Sequence, residues 1–201
     1  MMVDRSQVTG LVLAGGRGSS MGGVDKGLQL HRGIPLALHA ARRLAPQTGS
    51  VMLSANRNRT KYAEFGFEVH ADTSAEEFAG PLAGFAAGLD HCRTEYLVTV
   101  PCDTPDFPVD LGARLIEAMN AAGCDSAVAA LAGEPPMYEP AFCLLRRTLR
   151  PGLAAYMAQG GRKVESWLRS QHSAVAVFDD AAAFFNVNTA AELEGLQRAS
   201  H

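Results

Sequence analysis

Between residues 13 and 28 the chain reads LAGGRGSSMGGVDKGL, with five glycines between positions 15 and 23. Glycine lacks a Cβ and accepts positive φ, so successive backbone N–H groups in such a run can turn toward one anion. Lys26 ends the segment with a flexible ammonium able to reach phosphate oxygens. Two common phosphate motifs do not fit. GxGxxG fails because Gly16-Arg17-Gly18-Ser19-Ser20 is followed by Met21, and GxxxxGK[ST] fails because Val24-Asp25 separate Gly23 from the lysine. The plain alternative is a flexible turn carrying an incidental lysine. Its place directly behind the first apolar run, Val8–Ala14, favours a phosphate loop.

Other residues with chemical potential stand at similar places. Asp103 lies in PCDTP, just past the run YLVTV at 96–100. One carboxylate beside a phosphate loop suits Mg²⁺, which takes one or two carboxylates and completes its shell with water and phosphate oxygens. The competing reading is a turn aspartate in an Asp-Thr-Pro bend. Asn56 and Arg57 follow a second β-like run and Asp72 a third, each with a ligand-binding and a turn-capping reading open. Asn186 and Asn188 alternate in NVNT, so both amides face one side if that segment is extended.

These positions make sense together only if strands deliver them to one edge. Strands are expected at Val8–Ala14, Val51–Ser54, Phe67–Ala71, Tyr96–Val100, Ser126–Leu131, Ala141–Leu145 and Ala174–Phe178. Helices are expected at Pro35–Leu44, Ala83–Leu89, 109–122 closed by Gly123, Arg147–Met157, Val164–Ser170 and from Thr189 to about Arg198. Thr189 and Glu192 have the spacing of a capping box. Strand–helix alternation implies an α/β fold: a Rossmann-like three-layer α/β/α sandwich with a mostly parallel sheet, expected to be one domain over residues 1–201. Ligands of such sheets bind outside the carboxyl ends of the strands, where 15–26, 54–58, 72–82, 101–106 and 186–188 fall.

Composition excludes several classes. The chain has 201 residues, 47% hydrophobic and 19% charged, enough to bury a substantial core. A formal charge of −3 excludes a protein that grips nucleic acid through bulk positive charge. Of the 18 basic residues only Lys26, Lys61 and Lys163 are lysines. Cys92, Cys102, Cys124 and Cys143 show no metal-ligand spacing, and His31, His39, His70, His91, His172 and His201 are scattered. With no signal-like or membrane-spanning run, a cytoplasmic protein with reduced thiols is expected. Arg146, Arg147 and Arg150, and likewise Arg162-Lys163, have two readings: a solvated helix start, or a hold on an anionic ligand. Trp167 is expected in the core.

The loop also resembles a known family. LAGG, then MGGVDKGL at 21–28, SANRN at 54–58, GPLAG at 80–84, PCDTP at 101–105 and NVNT at 186–189 follow, in order, the pattern of the molybdenum cofactor guanylyltransferases. The resemblance runs nearly end to end, and it implies GMP transfer from GTP to molybdopterin with release of pyrophosphate. It implies nucleotide contacts at Leu13, Ala14, Gly15, Gly16, Gly22, Lys26, Ser54, Asn56, Asp72 and Asp103, with Lys26 and Asp103 catalytic and Mg²⁺ on Asp103. Arg17, Asn186 and Asn188 fall on the pterin or phosphate side. A carboxylate at Asp72 can accept from the N1–H and N2–H₂ edge of guanine, whereas cytosine cannot offer two donors there. Contact with the base and contact with the ribose both remain open for it. Partners implied are GTP, molybdopterin and, transiently, proteins of cofactor biosynthesis or molybdoenzyme maturation. The chain departs from the pattern at Ser20, where arginine is usual, at Ser54, where asparagine is common, and at Glu139-Pro140, where His-Pro is common. Sibling reactions, cytidylyl transfer to the pterin or nucleotidyl transfer to a sugar phosphate, remain alternatives, as does a catalytically inactive binding protein.

Overall fold

A computed structural model describes residues 3–14, 24–72 and 81–198. Strands β1 (Val8–Leu13), β4 (Ser50–Ser54), β5 (Glu68–His70), β6 (Tyr96–Pro101), β7 (Ser126–Leu131), β8 (Met137–Arg146) and β9 (Ala174–Phe178) form one sheet in the order β5-β4-β1-β6-β8-β7-β9. The β5-β4-β1-β6 half is parallel throughout. β8 runs antiparallel to both β6 and β7, and β9 returns parallel to β7. A two-stranded hairpin, β2 (Leu30–His31) with β3 (Ile34–Pro35), leads into helix α1 (Leu36–Leu44). The remaining helices are α2 (Arg59–Ala63), α3 (Pro81–His91), α4 (Leu111–Ala122), α5 (Arg150–Ala158), α6 (Val164–Ser170) and α7 (Ala190–Arg198).

The two-residue period of a strand explains the layering. Val8, Val12, Val98, Val100, Ala127, Ala129, Phe142 and Leu144 pack with α1 and α4 in one core. Their chain neighbours Leu11, Leu97, Val128, Cys143 and Leu145 pack on the opposite face with Leu82, Phe85, Leu89, Leu153, Trp167 and Leu168 from α3, α5 and α6. Both faces are covered, so the central strands read as continuous apolar runs. Each large side chain fully buried this way contributes roughly 1.5–3 kcal/mol.

Helix α3 lies against β1 because two of its residues are glycines. A Cβ at Gly88 would stand 2.5 Å from Leu11 Cδ2, and one at Gly84 would stand 2.8 Å from Leu13 Cδ2. Helix α4 ends at Gly123 as the sequence predicts, with φ of 64° and its N–H bonded back to Asn120. The capping box of α7 also forms: Glu192 N–H donates to Thr189 Oγ1 at 3.1 Å, and Thr189 N–H to Glu192 Oε2 at 3.0 Å.

Several boundaries differ from expectation. β8 begins at Met137, not Ala141, because its first residues pair with β7 across a bulge between Val128 and Ala129 instead of being marked by an apolar run. The expected helix at Arg147–Met157 is a 3₁₀ turn at Arg147–Leu149 followed by α5. Helix α2 and the β2–β3 hairpin were not expected, since neither has apolar periodicity. No helix among the described residues is long and apolar enough to cross a membrane.

Candidate active site

The carboxyl edge of the parallel half is stiffened past its strand ends. Ala14 N–H donates to Ser54 O at 2.8 Å, Ala55 N–H to His70 O at 2.9 Å, and Cys102 N–H to Leu13 O at 3.1 Å. The ends of β1, β4, β5 and β6 therefore lie side by side at the edge where open α/β sheets bind ligands.

Lys26, in a 3₁₀ turn at Lys26–Leu28, reaches across this edge. Its Nζ lies 3.3 Å from Asp103 Oδ2 and 2.6 Å from Asn188 Oδ1. The Lys26 and Asp103 side chains are 18% and 19% exposed, so the pair is sheltered but open to a ligand. The 103 and 187 backbones are tied by Val187 N–H donating to Asp103 O at 2.8 Å. Val187 is buried while Asn186 and Asn188 are exposed, which is the alternation expected of NVNT. Asn186 Oδ1 accepts from Thr104 Oγ1, and Asn188 N–H donates to Glu192 Oε2 at 2.7 Å. The helix cap thus holds the backbone of the asparagine whose amide oxygen meets Lys26.

A second constellation lies beyond β4 and β5. Ser54 Oγ donates to Asp72 Oδ1 at 2.6 Å and Asn56 Nδ2 to Asp72 Oδ2 at 2.8 Å, while Asp72 N–H returns a bond to Asn56 Oδ1 at 2.8 Å. Both carboxylate oxygens are held by neutral donors, which orients the charge without cancelling it. Gly84 belongs to this arrangement, since a Cβ there would come 3.4 Å from Ser54 Oγ.

Of the residues singled out from sequence, Leu13 ends β1, partly buried, and Ala14 is buried behind it. Lys26, Asp103 and Asn188 come together, Asn186 bonds instead to Thr104 next to Asp103, and Ser54, Asn56 and Asp72 form the second group. Gly15, Gly16, Arg17, Ser20 and Gly22 lie outside the described residues. Cys102 is buried beside Asp103; burial, then that carboxylate, pushes its thiol well above the ordinary range and leaves no thiolate nucleophile. Glu139, on β8, also has its carboxyl raised by burial.

The arginines of the basic clusters meet acids and carbonyls. Arg146 pairs with Asp125 at 2.6 Å and Glu95 at 3.3 Å, and Arg150 makes a two-pronged contact with Asp90 at 2.8 Å for each prong. Arg162 donates to Met157 O and Gly161 O. Sequence reading missed Asp25, Asn58 and Tyr62. Asn58 Nδ2 and Tyr62 Oη donate to the Asp25 carboxylate at 2.9 and 2.5 Å. A carboxylate immediately before the one loop lysine was the available signal.

Comparison with known proteins identifies the family. A family model of the MobA-like NTP transferase domain matches residues 10–175. A molybdenum cofactor guanylyltransferase of Methylibium petroleiphilum is 52% identical over 201 residues, covering 98% of each chain. Another, of Acidovorax ebreus, is 50% identical over 211 residues and covers both chains in full. The crystal structure of molybdopterin-guanine dinucleotide biosynthesis protein A from Archaeoglobus fulgidus superimposes with a TM-score of 0.73 at 21% identity, over 96% of this chain and 98% of that one. At that identity the likeness concerns the fold. With matches of this identity over essentially the full length, the chain belongs to the molybdenum cofactor guanylyltransferase family, within the MobA-like NTP transferases.

Proposed function

We propose that the whole chain acts as one nucleotidyltransferase domain that transfers GMP from GTP to molybdopterin, forming the guanine dinucleotide cofactor and pyrophosphate. The observation that carries the site assignment is the Lys26 ammonium between Asp103 Oδ2 and Asn188 Oδ1 at the carboxyl edge of the sheet. The terminal phosphate of the pterin attacks the α-phosphorus of GTP; a new P–O bond forms as the bond to the β-phosphate oxygen breaks. The nucleophile is anionic at neutral pH, so no strong general base is needed. Positioning and charge neutralisation supply the catalysis. Lys26 holds triphosphate oxygens, and the glycine-rich backbone preceding it supplies N–H donors.

The donor set suits a divalent cation. Asp103 and Asn188 already present one carboxylate and one amide oxygen to a single cationic nitrogen. No cluster of three or more His, Cys, Asp or Glu able to hold a metal occurs among the described residues. Mg²⁺ asks for few protein ligands because it keeps waters and phosphate oxygens. Asp103, with Asn188 beside it, would hold the ion, which when bound supplies Lewis-acid neutralisation of phosphate charge. Asp72, fixed by Ser54 and Asn56, is the acceptor for the nucleoside, and Asn186 lies toward the pterin. Four free cysteines fit work in the reducing cytoplasm.

Purified protein incubated with GTP, Mg²⁺ and molybdopterin tests this reading. Pyrophosphate and the guanine dinucleotide are expected in equal amounts, with CTP a weak competitor. Preferential use of CTP, or nucleotide binding without pyrophosphate release, would overturn it.

A further inference from the structure

Lys26 reaches Asp103 from the Lys26–Leu28 turn, and the residue that opens this turn, Asp25, is itself gripped. Its side chain shares none of Lys26's contacts and is held by Tyr62 Oη at 2.5 Å and Asn58 Nδ2 at 2.9 Å. Its carbonyl starts the Lys26 turn, accepting from Leu28 N–H at 3.2 Å.

Helix α2 is built around this grip. Tyr62 is its one buried residue, fully enclosed although it carries a hydroxyl. Asn58, at the N-cap, has φ of 51°, a left-handed conformation that asparagine tolerates better than most residues. It makes no side-chain cap to α2; its amide turns to Asp25 instead. Gly27 completes the fit, because a Cβ there would stand 2.4 Å from Tyr62 Oη and 3.2 Å from Ala37 Cβ. The turn that displays Lys26 is thus pressed between α1 and a buried phenol.

We propose that Tyr62 and Asn58 are positioning residues for nucleotidyl transfer: by holding Asp25 they place the Lys26 ammonium against Asp103 and Asn188. The proposal rests on the reading of Lys26 as a phosphate-binding group. Tyr62 touches no reacting atom and acts through Asp25 and the turn.

A double-mutant cycle decides it. Transfer at saturating GTP is measured for wild type, Tyr62→Phe, Lys26→Ala and the double variant, at a temperature where circular dichroism shows all four folded. Tyr62→Phe is expected to lower kcat about tenfold, less than the roughly 10²-fold that a 1 Å misplacement can cost. Lys26→Ala is expected to lose about 10²–10³-fold. The double variant should then be no slower than Lys26→Ala alone. An equal loss from Tyr62→Phe in both backgrounds, or no loss in wild type, overturns the proposal while leaving Lys26 in its role. Wild-type transfer by Lys26→Ala overturns the underlying reading, and the proposal with it. Asn58→Gly keeps the left-handed backbone, removes the amide donor and goes through the same cycle, with a smaller loss expected. A Tyr62 variant too unstable to assay therefore does not decide the matter.

Discussion

Asp72 and Asp103 each follow a parallel strand at the same edge of one sheet, yet their surroundings differ in kind. Asp103 faces a cation, Lys26 Nζ at 3.3 Å, and shares it with an amide oxygen. Among the described residues no cation is bonded to Asp72: a hydroxyl and an amide hold its two oxygens at 2.6 and 2.8 Å. A carboxylate paired with a mobile ammonium can exchange that partner for a metal ion or follow it toward phosphate. A carboxylate fixed by neutral donors keeps both its place and its charge. The first arrangement suits changing charge during phosphoryl chemistry; the second suits recognition of a fixed pattern of donors. On the proposed reading, one residue type serves two tasks because its neighbours differ.

The contrast can be broken by removing either carboxylate. Asp103→Ala is expected to lower GMP transfer by at least about 10²–10³-fold, the usual scale for loss of one preorganised electrostatic group, with the protein still folded by circular dichroism. Asp72→Asn preserves shape and removes charge. Its expected effect is about a tenfold loss in the preference for GTP over CTP, read by competition, since one mispaired edge is worth about 1–3 kcal/mol.

How far the sequence could lead to this contrast depended on distance along the chain. Ser126–Leu131, Val164–Ser170 and Ala174–Phe178 fold over the spans expected of them, because their apolar residues lie in local runs that the sheet and its helices bury. Helix α2 went unseen because RTKYA has a single buried side chain and no period. The start of β8 was missed because a bulge, a tertiary feature, determines it. In the site, Lys26 and Asn188 meet across 162 positions, and no local physics predicts that contact. They were singled out separately, one as the end of a glycine-rich loop and the other through alternation in NVNT. The Asp25–Tyr62 bond spans 37 positions; Asp25 stood in the MGGVDKGL segment but Tyr62 carried no motif, so only the folded chain reveals their pairing.

Two smaller effects sharpen the comparison by probing the scaffold around each carboxylate. Thr189→Ala removes the hydroxyl that caps α7 and should cost about 1 kcal/mol in chemical denaturation. Because the same cap steadies Asn188, it should slow transfer a few-fold while leaving GTP discrimination at Asp72 unchanged. His31 gives the least effect. Its ring is buried with neither nitrogen partnered among the described residues, and burial, then neighbouring His39, holds its pKa below the ordinary 6.5. The unfolded chain then takes up a proton that the folded one resists. Stability is fully present above pH 6.5 and is lost as pH falls from there toward the lower folded value. His70, lowered by burial and by stacked His91, acts in the same direction. Denaturation midpoints between pH 7 and pH 5 should therefore fall, and His31→Phe should flatten part, not all, of that slope.

The division of labour between the two carboxylates is tested most directly by steady-state transfer kinetics with GTP for Asp103→Asn and Asp72→Asn, measured side by side with Mg²⁺ and molybdopterin. The account predicts that Asp103→Asn collapses kcat, while Asp72→Asn raises KM for GTP about tenfold and leaves kcat within about threefold of wild type. Near-normal kcat for Asp103→Asn, or a loss for Asp72→Asn confined to kcat, would contradict it.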